Sequence, residues 1–479
     1  MPVYSDYEMV IGLEVHVELK TRTKIFCNCP TTFGAAPNTH VCPVCMGLPG
    51  SLPVLNKKVV EYAVKAGMAT GCTIARYSKQ DRKNYFYPDL PKAYQISQYD
   101  LPLCEHGHLD IETSLGSKRI GITRIHIEED AGKLVHGESG TMIDCNRCGV
   151  PLIEIVSEPD IRSAEEAVAY LQKLRATILY TGISDCRMQE GSLRCDVNLS
   201  VHKPGTPFGT RTEMKNLNSF QYVQKAIEYE FKRQVDAIEA GEEIVQETRR
   251  FDEKTGKTFS MRKKEDANDY RYFPDPDLAP IELSESTLSS LQSEIPALPD
   301  QRKAQYLRDY LLTPYDAEML TETPETAEYF EAAAAATPYK KQTASLILTE
   351  VFRLLALGGE DERHFSVSPA HLASLVTLTG DGKINSSTEK KVLSELWKEG
   401  DTDPEKYIRA HDLFQIGDRD LLAKLVDETI AGNPKSIADF KKGKTNALKS
   451  LVGQIMGKTS GRANPVIVQE LIDERVKAL

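Results

Sequence analysis

Near the start of the chain, apolar and polar positions alternate: in IGLEVHVELK the odd positions Ile11, Leu13, Val15, Val17 and Leu19 are apolar, and the even ones include Glu14, His16 and Glu18. Side chains two apart share one face of a strand, so the pattern predicts an oily face backed by one that presents carboxylate, imidazole and carboxylate. Further β-like runs follow at Ile120 to Ile127, Leu152 to Ser157 and Cys195 to His202, separated by turns. Two segments have instead the 3.6-residue period of amphipathic helices, Glu165 to Tyr180 and Phe220 to Glu239. Strands and helices mixed without regular strand–helix–strand alternation predict an α+β fold.

A proline cluster from FPDPDLAP to EIPALP interrupts this pattern and predicts a boundary between about 275 and 300. Beyond it, DQRKAQYLRDY, EYFEAAAAAT and TASLILTEVFRLLAL are helical and strand signals vanish. A second boundary is expected at GDTDP, Gly400 to Pro404. The predicted division is a β-rich domain over 1–292, an all-α domain over 293–403 and a helical tail over 404–479.

Composition narrows the classes. The chain has 479 residues, 41% hydrophobic and 27% charged, which is the balance of a globular protein too long for one ordinary core. A net charge of −11 argues against indiscriminate coating of nucleic acid, which depends on neutralising phosphates. The tail departs from that average: residues 435 to 479 hold nine Lys or Arg against four acids. MPVYSDYEMV lacks the basic start and apolar run of a signal peptide, and no stretch reaches the ~20 apolar residues of a membrane span. A cytoplasmic protein with no membrane partner is expected, and in that reducing compartment ten cysteines point to metal or packing rather than disulfides.

Four cysteines, Cys27, Cys29, Cys42 and Cys45, form C-x-C and C-x-x-C pairs around a loop. Two close pairs brought together by a loop suit tetrahedral Zn²⁺, and four thiolates leave no open position, so the expected role is structural. Cys145 and Cys148, and Cys104 with His106 and His108, lack a second pair nearby and receive no role. GQIMGKTSG at Gly453 to Gly461 has three residues between its first glycine and Gly-Lys where a phosphate-binding loop needs four, and it follows a helix rather than a strand. Lys458 in that stretch and Arg462 just after it either meet nucleic-acid phosphates or belong to a solvated face.

The acids are more telling. TRIHIEEDAGK carries Glu128 and Glu129, SLRCDVNLS carries Asp196, and RTEMKN carries Glu213 and Lys215. Two carboxylates ~5 Å apart repel by roughly 3 kcal/mol at an effective dielectric of 20, so such a cluster beside Glu14 and His16 needs a cation. Oxygen ligands with one imidazole suit Mg²⁺ or Mn²⁺ and the phosphates that travel with them. DRKNYFYPDLPKAYQISQYD, Asp81 to Asp100, packs five aromatics, three basic residues and two prolines into a rigid loop that either forms a satellite core or stacks on a base. NDYRYFPDPDL, Asn268 to Leu278, repeats the mixture.

Together, IGLEVHVEL, KNYFYPDLPKAYQISQYD, ITRIHIEEDAGK, PLIEIVSEPD, EGSLRCDVN, MKNLNSF, ETRRFD and DYRYFPDPDL closely resemble the GatB/GatE family, the B subunits of tRNA-dependent amidotransferases, and the likeness extends from Tyr7 to MGKTSGRANP. The resemblance implies a cradle domain related to the glutamine synthetase and guanido kinase group, then a helical domain and a YqeY-like tail that hold tRNA. It implies a heterotrimer in which the amidase, or A, member releases ammonia from glutamine and the pair is braced by a small C member. The B member would bind misacylated Glu-tRNA(Gln) or Asp-tRNA(Asn), phosphorylate the side-chain carboxylate with ATP and Mg²⁺, and amidate it. Carried over by motif, Glu14, His16, Glu129, Asp196 and Glu213 are the implied magnesium-site residues, and Lys83, Tyr85 and Lys215 the implied substrate or phosphate contacts. The alternative is a non-catalytic tRNA-binding scaffold.

Overall fold

The computed structural model describes residues 4–137, 140–263, 269–358, 364–441, 446–459 and 461–478. Asn268, Lys442, Lys444 and Ser460, all within stretches singled out above, lie outside the described residues. Two compact units divide the chain, Met1–Leu298 and Pro299–Leu479. The first is β-rich and the second helical, so the fold is α+β.

The first unit opens with β1 (Glu8–Glu18), then α1 (Lys57–Ala69) and the short strands β2 (Thr73–Ile74), β3 (Tyr77–Ser78), β4 (Asp81–Asn84) and β5 (Tyr94–Ser97). Long strands β6 (Cys104–Thr113) and β7 (Gly116–Glu129) are followed by the hairpin β8 (Lys133–Gly137) and β9 (Gly140–Asp144) and by β10 (Pro151–Ser157). Helix α2 (Ala164–Thr181), β11 (Leu193–His202), β12 (Thr212–Lys215), α3 (Phe220–Glu239), β13 (Glu247–Asp252) and β14 (Lys257–Lys263) come next. Nine of these strands make one sheet in the order β14-β13-β12-β11-β1-β10-β7-β6-β2.

β1 lies at the middle of that sheet because its apolar positions are its buried ones. Ile11, Leu13, Val15 and Val17 share a core with Val59 and Val64 of α1, Leu171 and Leu174 of α2, and Val223 and Ile227 of α3. Each such side chain contributes about 1.5–3 kcal/mol on burial, and a one-residue slip would turn all of them to the other face. That fixes Glu14, His16 and Glu18 opposite the core. Both long helices start on serine caps: Ser163 accepts from the Glu166 N–H and Ser219 from the Tyr222 N–H.

The stretch Asp81 to Asp100, expected as a loop throughout, has strands at both ends: β4 pairs β5, and Phe273–Pro274 pairs β4 from the other side. Pairing with a segment so distant in sequence overrode the weak local strand preference.

In the second unit, helices begin on a capping residue followed by proline at Thr313–Pro314, Thr323–Pro324, Ser368–Pro369 and Asp403–Pro404. One core gathers Tyr306, Phe330, Leu375 and Leu393, another Leu422, Leu451, Ile455 and Ile472. GQIMGK lies inside the helix Asn446–Lys458. Among the described residues no helix is long and apolar enough to cross a membrane.

Candidate functional site

The polar face of β1 gains its neighbours from antiparallel pairing on both sides. Against β11, Glu14 stands opposite Asp196; against β10, His16 stands opposite Glu154, which is itself opposite His126 of β7. Two groups of potential cation ligands result, with the ligand atoms of each within 4.8 Å of one another: His16, Glu128 and Glu154, and Glu14, Asp196 and Glu213. His16 and Glu14 are two positions apart, about 7 Å along the strand.

In the first trio, the His16 Nε2 lies 3.2 Å from Glu128 and 3.8 Å from Glu154. Burial alone would lower the imidazole pKa, but the hydrogen bond to Glu128 and the charges of Glu128, Glu154 and Asp196 outweigh it and push it up to about 9. Burial works against the Glu154 carboxylate too, yet His126, His16 and Lys83 together hold its pKa below the usual carboxylate range. The trio is therefore a negative pocket stabilised by whichever positive group occupies it.

In the second trio the positive group is the chain's own. Lys215 donates to Asp196 and lies 3.0 Å from Glu213. Burial disfavours its ammonium, but Asp196 and Glu213 hold its pKa above the ordinary lysine value. Glu14 is raised by burial and by the charges of Glu154, Asp196 and Glu213, with Lys215 opposing. Two neutral donors orient the acids: Asn198 Nδ2 donates to Glu14 at 3.0 Å and Thr248 Oγ1 to Glu213 at 2.8 Å.

Glu129 is the sequence expectation that the structure does not bring to either trio. Successive side chains of a strand face opposite ways, so Glu128 joins His16 while Glu129 turns back with Ile127. Its carboxylate accepts from Lys92 Nζ at 2.6 Å and from the Ile96 N–H at 2.8 Å. Glu18 also stands apart: burial and the Asp130 charge push it up to about 8 against the pull of Arg194, 3.9 Å away.

Lys83 lies beside the first trio, its Nζ 4.9 Å from the Tyr270 ring centroid and 5.9 Å from that of Tyr85. Burial opposes its charge, but Glu128, with Tyr272 and Glu154, holds its pKa above the ordinary value. In the tail, Lys458 donates to Thr429 Oγ1 at 3.3 Å and Arg462 is paired with Asp412.

Cys27, Cys29, Cys42 and Cys45 also converge, their sulfurs within 4.8 Å of one another, which four Zn–S bonds of about 2.3 Å can span. A hydrogen bond from Cys27 pulls Cys45 down to about 4, aided by Lys24, whose Nζ lies 3.7 Å away. Cys104, His106, His108, Cys145 and Cys148 join no potential metal cluster among the described residues.

Glu128, Glu154, His126 and Asn198 were not assigned from the sequence, and the first two carried a readable signal. In PLIEIVS a single acid separates two buried isoleucines, as Glu14 separates Leu13 and Val15. In RIHIEED the buried Ile125 and Ile127 set the phase, which continues to Glu129 and leaves Glu128 with His126.

The same blocks of sequence carry the comparison with known proteins. A family model described as the GatB/GatE catalytic domain matches residues 9–289, and one described as a GatB domain matches residues 328–476. The chain is 55% identical over 480 residues to the B subunit of the aspartyl/glutamyl-tRNA(Asn/Gln) amidotransferase of Caldicellulosiruptor saccharolyticus, covering 99% of this chain and all of that relative. It is 54% identical over 480 residues to the protein of that name from Carboxydothermus hydrogenoformans, with the same coverage. For that of Geobacter sulfurreducens the identity is 53% over 478 residues, covering 98% of this chain and all of the relative. With strand and helical units both matched, and relatives more than half identical from end to end, the chain belongs to the GatB/GatE family.

Proposed function

We propose that the chain is the activating member of a tRNA-dependent amidotransferase complex. It takes the side-chain carboxylate of a misacylated Glu-tRNA(Gln) or Asp-tRNA(Asn), transfers to it the γ-phosphoryl group of ATP, and lets ammonia displace phosphate to leave the amide. A carboxylate is a poor acyl donor because oxide leaves badly, and phosphorylation supplies the better leaving group. The observation that carries this reading is the pair of acidic trios two residues apart on β1, one all-carboxylate and one with an imidazole.

His16, Glu128 and Glu154 would hold one divalent cation and Glu14, Asp196 and Glu213 another. Mg²⁺ bound there supplies charge neutralisation for the phosphates and the incoming carboxylate and aligns them for in-line transfer. Lys215 would turn from Asp196 toward a phosphate oxygen, and Lys83, backed by Tyr85 and Tyr270, would meet the substrate carboxylate. Glu129 belongs to no cation set in this scheme; it braces the end of β7 against Lys92 and β5.

The four cysteines would hold a structural Zn²⁺ that fixes the loop they span. Lys458 and Arg462 would contact tRNA phosphates from a tail domain over 404–479, beyond a helical domain over 293–403 and the catalytic domain over 1–292. The partners in this reading are the ammonia-releasing amidase (the A member of the complex) and the small C member, and the setting is the cytoplasm.

The test is the assembled complex given ATP, misacylated tRNA and ammonium ions in place of glutamine. ADP and amidated tRNA formed together support the proposal. Binding of tRNA with no ADP formed would favour the scaffold alternative.

A further inference from the structure

His126 is buried, with 3% of its surface exposed, and sits directly across from Glu154 in the β10–β7 pairing. Its Nε2 lies 3.1 Å from Glu154 Oε2 and 3.9 Å from Glu128 Oε2. Its Nδ1 lies 3.4 Å from Arg124 Nε. A guanidinium can only donate, so Nδ1 accepts, and in the neutral ring the proton is on Nε2. That N–H points at Glu154. His126 is thus the nearer imidazole to Glu154 yet has no lone pair on that side, whereas His16 turns its Nε2 to both Glu128 and Glu154, where a cation can take the place of its proton.

We propose that His126 is a positioning residue: Arg124 fixes its tautomer, and the resulting Nε2–H holds Glu154 Oε2, the oxygen that also lies 3.8 Å from the His16 Nε2, in place for the cation shared with His16 and Glu128. The inference rests on the reading that this trio holds a divalent cation. A glutamate carboxylate turns about three side-chain bonds, and one dedicated donor reduces the entropy of choosing among its rotamers. Groups that orient ligands in this way typically change metal affinity 10–100-fold when lost. The two imidazoles of the site therefore divide the work, His16 binding and His126 aiming.

The test uses the full-length chain in its assembled complex and Mn²⁺ as the probe, counted by electron paramagnetic resonance. His126→Phe, which keeps the ring volume and loses the donor, should weaken one of two Mn²⁺ sites about 10–100-fold and leave the other unchanged. His126→Gln, whose amide can donate to Glu154, should restore most of the affinity. ¹⁵N-histidine spectra should show the Nε2–H tautomer for His126 in the wild type and a mixture in Arg124→Met, which also serves if His126→Phe fails to fold. Two undiminished sites in His126→Phe, or an Nδ1–H tautomer in the wild type, would overturn the proposal while leaving the cation reading intact. A wild-type complex that binds no Mn²⁺ would overturn that reading and this proposal with it.

Discussion

The trio around His16 and the trio around Glu14 share one strand, and they differ in the group that offsets their charge. Around His16 it is a proton on an imidazole pushed up to about 9, which a metal ion can replace outright. Around Glu14 it is the Lys215 ammonium, tethered by its own side chain and able only to swing aside. On the proposed function the first site would therefore couple cation binding to proton release, and the second would couple it to side-chain motion. In that reading a substrate phosphate entering the second site would give Lys215 a new partner as a cation displaces it.

The largest expected effect separates Glu128 from its neighbour. Glu128→Gln, and likewise Asp196→Asn, should lower ammonia-driven amidation by about 10³-fold or more, the loss of roughly 4 kcal/mol of transition-state stabilisation. Glu129→Gln should instead show as lost stability, because it leaves the half-buried Lys92 without its counter-charge, on the order of 3 kcal/mol. Thermal melts beside product assays distinguish the two. Equal activity losses for Glu128→Gln and Glu129→Gln in folded complexes would erase the face assignment.

A pH series sharpens the comparison further. His16 must give up its proton to bind a cation, so below about 9 each unit of falling pH should weaken that site about tenfold. Lys215 stays charged throughout, so binding at the Glu14 trio between pH 7 and 9 should change little. Mn²⁺ titrations at fixed ionic strength read both slopes, and parallel slopes would contradict the distinction.

Lys215→Met should destabilise the first unit by about 1–2 kcal/mol at low divalent concentration, discounted because the lysine is partly exposed. Millimolar Mg²⁺ should restore the loss, since a cation can take over its role. Thr248→Val removes only one neutral hydrogen bond to Glu213, so about fivefold weaker binding at the Glu14 trio, near 1 kcal/mol, is expected, with the His16 trio unchanged. Thermal melts with and without Mg²⁺ check Lys215→Met, and isothermal titration checks Thr248→Val.

The parts of this site that local pattern could reveal were legible. Alternation in IGLEVHVELK set the buried and polar faces of β1, and the periodicity of Glu165 to Tyr180 and Phe220 to Glu239 marked α2 and α3 to within a residue or two. Strand register was not legible, because which residue lies across from Glu14 or His16 depends on β10 and β11, more than a hundred residues away. Glu129 is carried over by motif, and which glutamate shares the His16 face depends on a local break: β7 buries Ile120 and Ile122 but then Ile125 and Ile127, a change of phase where its pairing with β10 shifts register. Lys92 could not be placed either, since its partner is supplied by packing of β5 on β7.

The central claim is that one face of β1 carries two separate cation sites. Mn²⁺ bound per assembled complex, counted for the wild type, His16→Asn and Glu14→Gln, tests it most directly. The account predicts two ions for the wild type, with each variant weakening a different one and sparing the other. No bound ion in the wild type, or the same site weakened by both variants, would contradict it.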